Sequence, residues 1–139
     1  MKENIGYFQY RVPYADTDKM GIVYYGNYLT YFEIARCELM RSIGYSYSDL
    51  EADGYALPII EAVCRYKASA RFEDLLTLSA TFSELKGVRM KISCEVKCGD
   101  KLLAEGYTMH ACLFGERDKM RPARAPKRLL EILELSGNE

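Results

Sequence analysis

The chain has 139 residues, 49% of them hydrophobic, and its 20 acidic and 19 basic side chains leave a formal net charge of −1. That size suits one domain, residues 1–139, with a core of its own. Near-neutrality argues against a nucleic-acid binder, whose contact face is basic, and no apolar run approaches the ~18 residues of a membrane span.

Met1 to Gly6 lacks the apolar stretch of a signal peptide. Five cysteines, an odd number, read as reduced thiols of a cytoplasmic protein. Tyr7 to Tyr14, rich in aromatic and β-branched residues, predicts a strand. A turn from Ala15 to Gly21 follows and carries Asp16 and Asp18. From about Asn27 to Ile43 the apolar residues Tyr28, Phe32, Ala35, Leu39 and Ile43 recur three or four apart, which predicts a long helix. Tyr31, Ile34 and Met40 widen the stripe, so burial around much of its circumference is expected, and Gly44 stops it. Ser46 and Asp49 stand in capping-box spacing at the head of a short helix that ends at Gly54.

Strand patterns then take over. Leu57 to Lys67 is mostly apolar, and Leu76, Leu78, Ala80 and Phe82 alternate with small polar residues. Met90, Ile92, Cys94, Val96 and Cys98 fall on one face of the next strand, Val88 to Cys98. Cys98 to Lys101 is a turn, Leu102 to Phe114 another long strand, and Pro126 to Leu135 a short terminal helix. One strand, one long helix and a run of hairpin-connected strands describe an α+β chain with an antiparallel sheet. A single helix covers one face of such a sheet, so self-association is expected.

The cysteines on the alternating strand are read as small core residues. With one histidine, His110, and no CxxC spacing, the ligands for a zinc site are lacking, and no metal is predicted. His110 itself lies on a strand face with Ala104, Gly106, Thr108 and Cys112 and is read as a satisfied structural histidine. The turn before the long helix is where chemistry is expected. A helix N-terminus offers unpaired N–H groups and a partial positive charge that favour a developing oxyanion. A carboxylate beside it is a base or nucleophile, and the combination suits acyl transfer.

The string Tyr14-x-Asp16-Thr17-Asp18-x-x-Gly21-x-Val23-Tyr24-Tyr25-x-Asn27-Tyr28, followed by Phe32-Glu33-x-Ala35-Arg36, resembles the signature of hotdog-fold acyl-CoA thioesterases. The 4-hydroxybenzoyl-CoA thioesterase family and its Tol–Pal-associated branch are the nearest in kind. The Ser69–Asp74 bend and Lys119-Met120-Arg121-Pro122 match in type and order, so the resemblance covers nearly the whole chain. It implies a hotdog fold, an antiparallel sheet wrapped around one long central α-helix. It further implies a homodimer, or a tetramer of paired dimers, with the site between subunits and acyl-CoA or an acylated carrier protein hydrolysed without a cofactor. By the same resemblance the catalytic carboxylate is Asp18 and the oxyanion donor is the backbone N–H of Tyr25. The Tol–Pal-associated branch usually carries histidine at that position, so no histidine-dependent step transfers to this chain.

The remaining roles follow around that pair. Asp16 is expected to support the turn by hydrogen-bonding loop backbone, with Thr17 helping. Gly21 is expected at positive φ or against substrate, and Asn27 as a cap or loop-orienting residue. Glu33 and Arg36, three apart on the helix, are read as a structural ion pair. Glu73 is a weaker second carboxylate. Lys86, Arg89, Lys119 and Arg121 are candidates for the phosphates of coenzyme A. A non-catalytic acyl-thioester binding module and a hotdog dehydratase are the alternatives.

Overall fold

The computed structural model describes residues 3–134. Strand β1 (Ile5–Arg11) leads through a 3-10 turn (Tyr14–Asp16) to helix α1 (Asn27–Ser42) and a short helix α2 (Tyr47–Ala52). After β2 (Tyr55–Ala56) come four long antiparallel neighbours: β3 (Ile59–Tyr66), β4 (Leu75–Lys86), β5 (Arg89–Cys98) and β6 (Lys101–Ala111). The chain closes with β7 (Leu113–Phe114), β8 (Arg121–Pro122) and α3 (Lys127–Ile132). The main sheet has the order β1-β4-β5-β6-β3, and β2, β7 and β8 form a small second sheet.

Alternation builds the core. Leu76, Leu78, Ala80 and Phe82 of β4 face inward with Met90, Ile92, Cys94 and Val96 of β5. The register sets Leu78 against Val96, Ala80 against Cys94 and Phe82 against Ile92. Tyr28, Tyr31, Phe32, Ala35, Leu39 and Met40 of α1 are buried in the same cluster. Each large side chain so buried contributes on the order of 1.5–3 kcal/mol. Close approach of β1 to the helix needs Gly6, because a Cβ there would overlap the backbone of Leu39. The capping box forms as the spacing predicts, with Ser46 Oγ accepting from Asp49 N–H at 3.1 Å.

Several expected boundaries shift. Pro13 has no N–H to continue a ladder, so β1 ends at Arg11, and Val12 N–H donates instead to Asp74 O. The last long strand divides at Cys112, whose N–H donates to Val88 O at 2.8 Å just past the Arg89–Ala111 end of the ladder. The terminal helix begins after Pro126, and the expected end at Leu135 lies outside the described residues. Burial of α1 is also one-sided: Leu29, Thr30 and Glu33 are exposed. The far edge of the sheet is open too. β3 pairs only with β6 among the described residues, and its Ile59 and Ile60 are about half exposed.

Direction along β4 fixes where the functional segments lie. Its first residue, Leu75, pairs with Arg11 at the end of β1, beside the loop that carries Asp18. Its last, Lys86, pairs with Arg89 across the hairpin turn. At ~3.3 Å per residue these ends are roughly 35 Å apart.

Candidate active site

The Asp16–Asp18 turn folds back as a narrow hairpin against the segment leading into α1. Tyr24 N–H donates to Asp16 O at 2.9 Å, Thr17 bridges Val23, and Asp18 N–H donates to Ile22 O at 2.9 Å. Gly21 closes the turn at φ 78°, a left-handed conformation that L side chains resist. Nothing would crowd a Cβ there, so conformation alone calls for glycine. Thr17 Oγ1 donates to Tyr14 O at 2.7 Å, the turn-stabilising role expected of it.

Asp18 is exposed in the single chain, and its Oδ1 accepts from Met20 N–H at 2.9 Å. That local bond fixes the side chain and leaves the second carboxylate oxygen without a partner among the described residues. Across the hairpin, α1 begins without any side-chain cap. The Asn27 and Tyr28 amides already donate to Tyr24 O and Tyr25 O. Among the described residues nothing accepts from the N–H of Tyr25 or Gly26, so two helix-start donors stand free. A cleft of about 260 Å³ opens beside them, walled by Val23, Tyr25, Tyr28, Tyr66, Lys67 and Ser69. Tyr66 O–H donates to Tyr25 O at 3.1 Å, and its ring meets Tyr28 edge-on at 5.2 Å.

Asp16 departs from its expected role. Its carboxylate does not bond loop backbone; Oδ2 accepts from the phenols of Tyr10 at 2.6 Å and Tyr31 at 2.7 Å. Burial, then the hydrogen bond to Asp16, pushes Tyr10 up to about 12 and raises Tyr31 further. Backbone support comes from its carbonyl instead, which takes both Tyr24 N–H and Asn27 Nδ2 at 2.9 Å. Asn27 therefore orients the loop and does not cap the helix.

The Glu33–Arg36 pair does not form. Glu33 points outward on the exposed face, whereas Arg36 is buried and donates weakly to Thr108 Oγ1 at 3.5 Å, with Nε unpartnered. Three residues apart on a helix spans nearly a full turn, but only one of the two positions faces the sheet. Thr108 and His110 complete this polar group. Leu57 O is an acceptor 2.8 Å from His110 Nδ1, so Nδ1 carries the proton, and Nε2 accepts from Thr108 Oγ1 at 2.8 Å. Burial, with the Arg36 charge adding, lowers the His110 pKa below its usual value and keeps the ring neutral.

Glu73 sits at φ 73° in the bend after Phe72, its main chain tied to Val12 O and its own carbonyl held by Arg11. The basic candidates lie elsewhere. Lys86 and Arg89 flank the β4–β5 turn, and Val88 O in that turn accepts from Cys112 N–H. Leu113 then pairs with Pro122 and Phe114 with Arg121, so Lys119 and Arg121 belong to neighbouring segments. Within one chain all four stand at the end of the sheet away from Asp18. Tyr66, Lys67 and Ser69 at the cleft, and Tyr10 and Tyr31 behind the turn, carry no local sequence signal of such placement.

Residues 12–133 match the family described as the thioesterase-like superfamily. The chain belongs to that superfamily. Acyl-CoA thioesterase YbgC of Haemophilus influenzae is 31% identical to this thioesterase over 128 residues, covering 91% of this chain and 93% of the relative. Among solved structures, a hypothetical protein from Thermus thermophilus superposes with a TM-score of 0.85 at 32% identity, over 93% of this chain and 97% of its own. A gentisyl-coenzyme A thioesterase superposes with a TM-score of 0.79 at 25% identity, over 88% and 98%. The thioesterase therefore has the hotdog fold expected of it, with a sheet wrapped around α1. No helix among the described residues is long and apolar enough to cross a membrane.

Proposed function

We propose that this thioesterase hydrolyses an acyl-CoA to the free acid and coenzyme A, with Asp18 as nucleophile or general base and the Tyr25 N–H as oxyanion donor. One observation carries the reading: a single hairpin bears a carboxylate with an oxygen that lacks a partner among the described residues, and it leads into helix-start amides that none of the described residues accepts from. A thioester carbonyl oxygen placed on the Tyr25 N–H would develop its charge against the dipole of α1. Asp18 would then attack the carbonyl carbon, expelling the thiolate to leave an anhydride that water opens, or would take the proton of an attacking water. Both routes consume one water and return one acid and one thiol. The residues themselves complete the chemistry, so no cofactor enters it.

The distribution of charge favours a site shared between two copies. Lys86 and Arg89 lie roughly 35 Å along β4 from the Asp18 end, too far to hold the phosphates of a substrate seated in the same chain. A two-fold pairing of open β3 edges runs the strands antiparallel and sets Ile59 of one copy near Tyr66 of the other. That arrangement delivers the basic end of the partner to the Asp18 end of this chain. Reduced thiols at all five cysteines suit a cytoplasmic setting. The dehydratase alternative loses support, because both ring nitrogens of His110 are engaged in the core.

A panel of acyl-CoA thioesters and one acylated carrier protein, followed by free-thiol release, tests the reading. The wild-type chain is expected to release thiol from at least one CoA ester. Tight binding across the panel with no thiol appearing would leave a binding module in its place.

A further inference from the structure

The turn that bears Asp18 has few long-range anchors of its own. Among the described residues Asp18 bonds only to Ile22, Met20 and Gly21, all within four residues, and a Cβ added at Gly21 would meet nothing within 4 Å. On the other arm of the hairpin, Val23 N–H is fixed to Ala70 O and Ile22 bridges Arg71. The arm carrying the carboxylate is tied to that anchored arm through Thr17 and Asp18, and directly to β1 and α1 through Asp16.

Four donors converge on that residue from two elements and the segment between them. Tyr10 reaches it from β1 and Tyr31 from the second turn of α1, while Tyr24 N–H and Asn27 Nδ2 reach its carbonyl from the helix start. Tyr31 lies one helical turn beyond Asn27, and helical side chains lean toward the N-terminus, so its phenol extends back over the loop. The rings of Tyr10 and Tyr31 pack at 5.0 Å, and Tyr31 is 1% exposed, which leaves each phenol little freedom to look elsewhere. Burial raises the pKa of both phenols, so they remain proton donors at every working pH.

We propose that Tyr10 and Tyr31 are positioning residues for the hydrolysis: by gripping the Asp16 carboxylate they hold the turn bearing Asp18 at a fixed distance from the Tyr25 N–H. The proposal rests on the functional reading above and adds residues to it that never touch the substrate. Losing the two hydroxyls frees the Asp16 side chain, loosens its carbonyl from Tyr24 N–H, and lets the carboxylate drift from the carbonyl it must meet. Misplacement of that kind slows the bound complex and leaves ground-state binding nearly intact.

The experiment compares Tyr10→Phe/Tyr31→Phe, Asp16→Asn, Asp16→Ala and Asp18→Asn with wild type, below the unfolding temperature of each. The double phenylalanine variant is expected to lose about tenfold or more in kcat with KM within about twofold. Amide exchange at Tyr24 should accelerate in parallel, a readout independent of any reaction. Asp16→Asn keeps an oxygen acceptor for both phenols and should retain most of the turnover, whereas Asp16→Ala should fall with the double variant. Wild-type kcat in the folded double variant overturns the proposal. So does an Asp16→Asn protein as impaired as Asp16→Ala, which would assign the effect to charge. Asp18→Asn separates the two layers: full activity there removes the proposed chemistry, while an inactive Asp18→Asn beside a fully active double variant removes the clamp alone.

Discussion

Asp16 and Asp18 share a turn, yet their surroundings divide them, one drawn inward by two phenols and the other exposed and held only by its own turn among the described residues. Motif spacing distinguishes them only through resemblance; chemistry alone would have allowed either. Nothing near Asp16 in sequence announces Tyr31, which comes fifteen residues later and meets it only once α1 has packed on β1. Arg36 shows the same gap, since its partner Thr108 is 72 residues away. His110, by contrast, was readable as a strand histidine from alternation, and its burial has a measurable consequence. Its folded pKa lies below the usual 6.5, so the unfolded chain takes up the proton first as pH falls. Stability should therefore decline as pH drops below about 6.5 and be insensitive to this residue above pH ~7.5. Urea midpoints between pH 7.5 and 5.5 check this: His110→Gln should flatten the slope, and an unchanged slope would assign it to other groups.

Elements were the most legible scale, because local rules and tertiary packing agree across most of them. Period-two patterns in β4 and β5 put the residues expected inside on the inside, and the Ser46–Asp49 box caps α2. Ser46→Ala should cost about 1 kcal/mol in equilibrium unfolding, the usual value of a lost cap. What periodicity could not give was how closely backbones approach. Gly106 on β6 lies where a Cβ would overlap the carbonyl oxygen of Val63 on β3. Gly106→Ala must push β3 off the sheet edge, and a loss of roughly 1–3 kcal/mol is expected from such overpacking. Thermal unfolding reads both changes, and a Gly106→Ala midpoint equal to wild type would show that β3 yields freely.

At the scale of the whole molecule, the apolar stripe of α1 promised more burial than one chain supplies. Leu29 and the open edge of β3, with Ile59 and Ile60, stay uncovered. Strand direction adds what composition could not: the basic turn at Lys86 and Arg89 stands at the opposite end of the sheet from Asp18. If two copies share each site, Asp18→Asn and Lys86→Ala/Arg89→Ala should complement one another. Random pairing of the two variants gives mixed dimers in half of the molecules, each with one intact site, so about a quarter of wild-type activity should return. No recovery on mixing and reassembly would assign the cations to their own chain or to the surface. Beneath that arrangement lies the chemistry at Asp18, and the most direct measurement is thiol release by Asp18→Asn under saturating acyl-CoA. With fold and oligomeric state retained, kcat should fall by roughly 10²–10⁴, the range of a removed base or nucleophile. Turnover within a few-fold of wild type would contradict the assignment of Asp18.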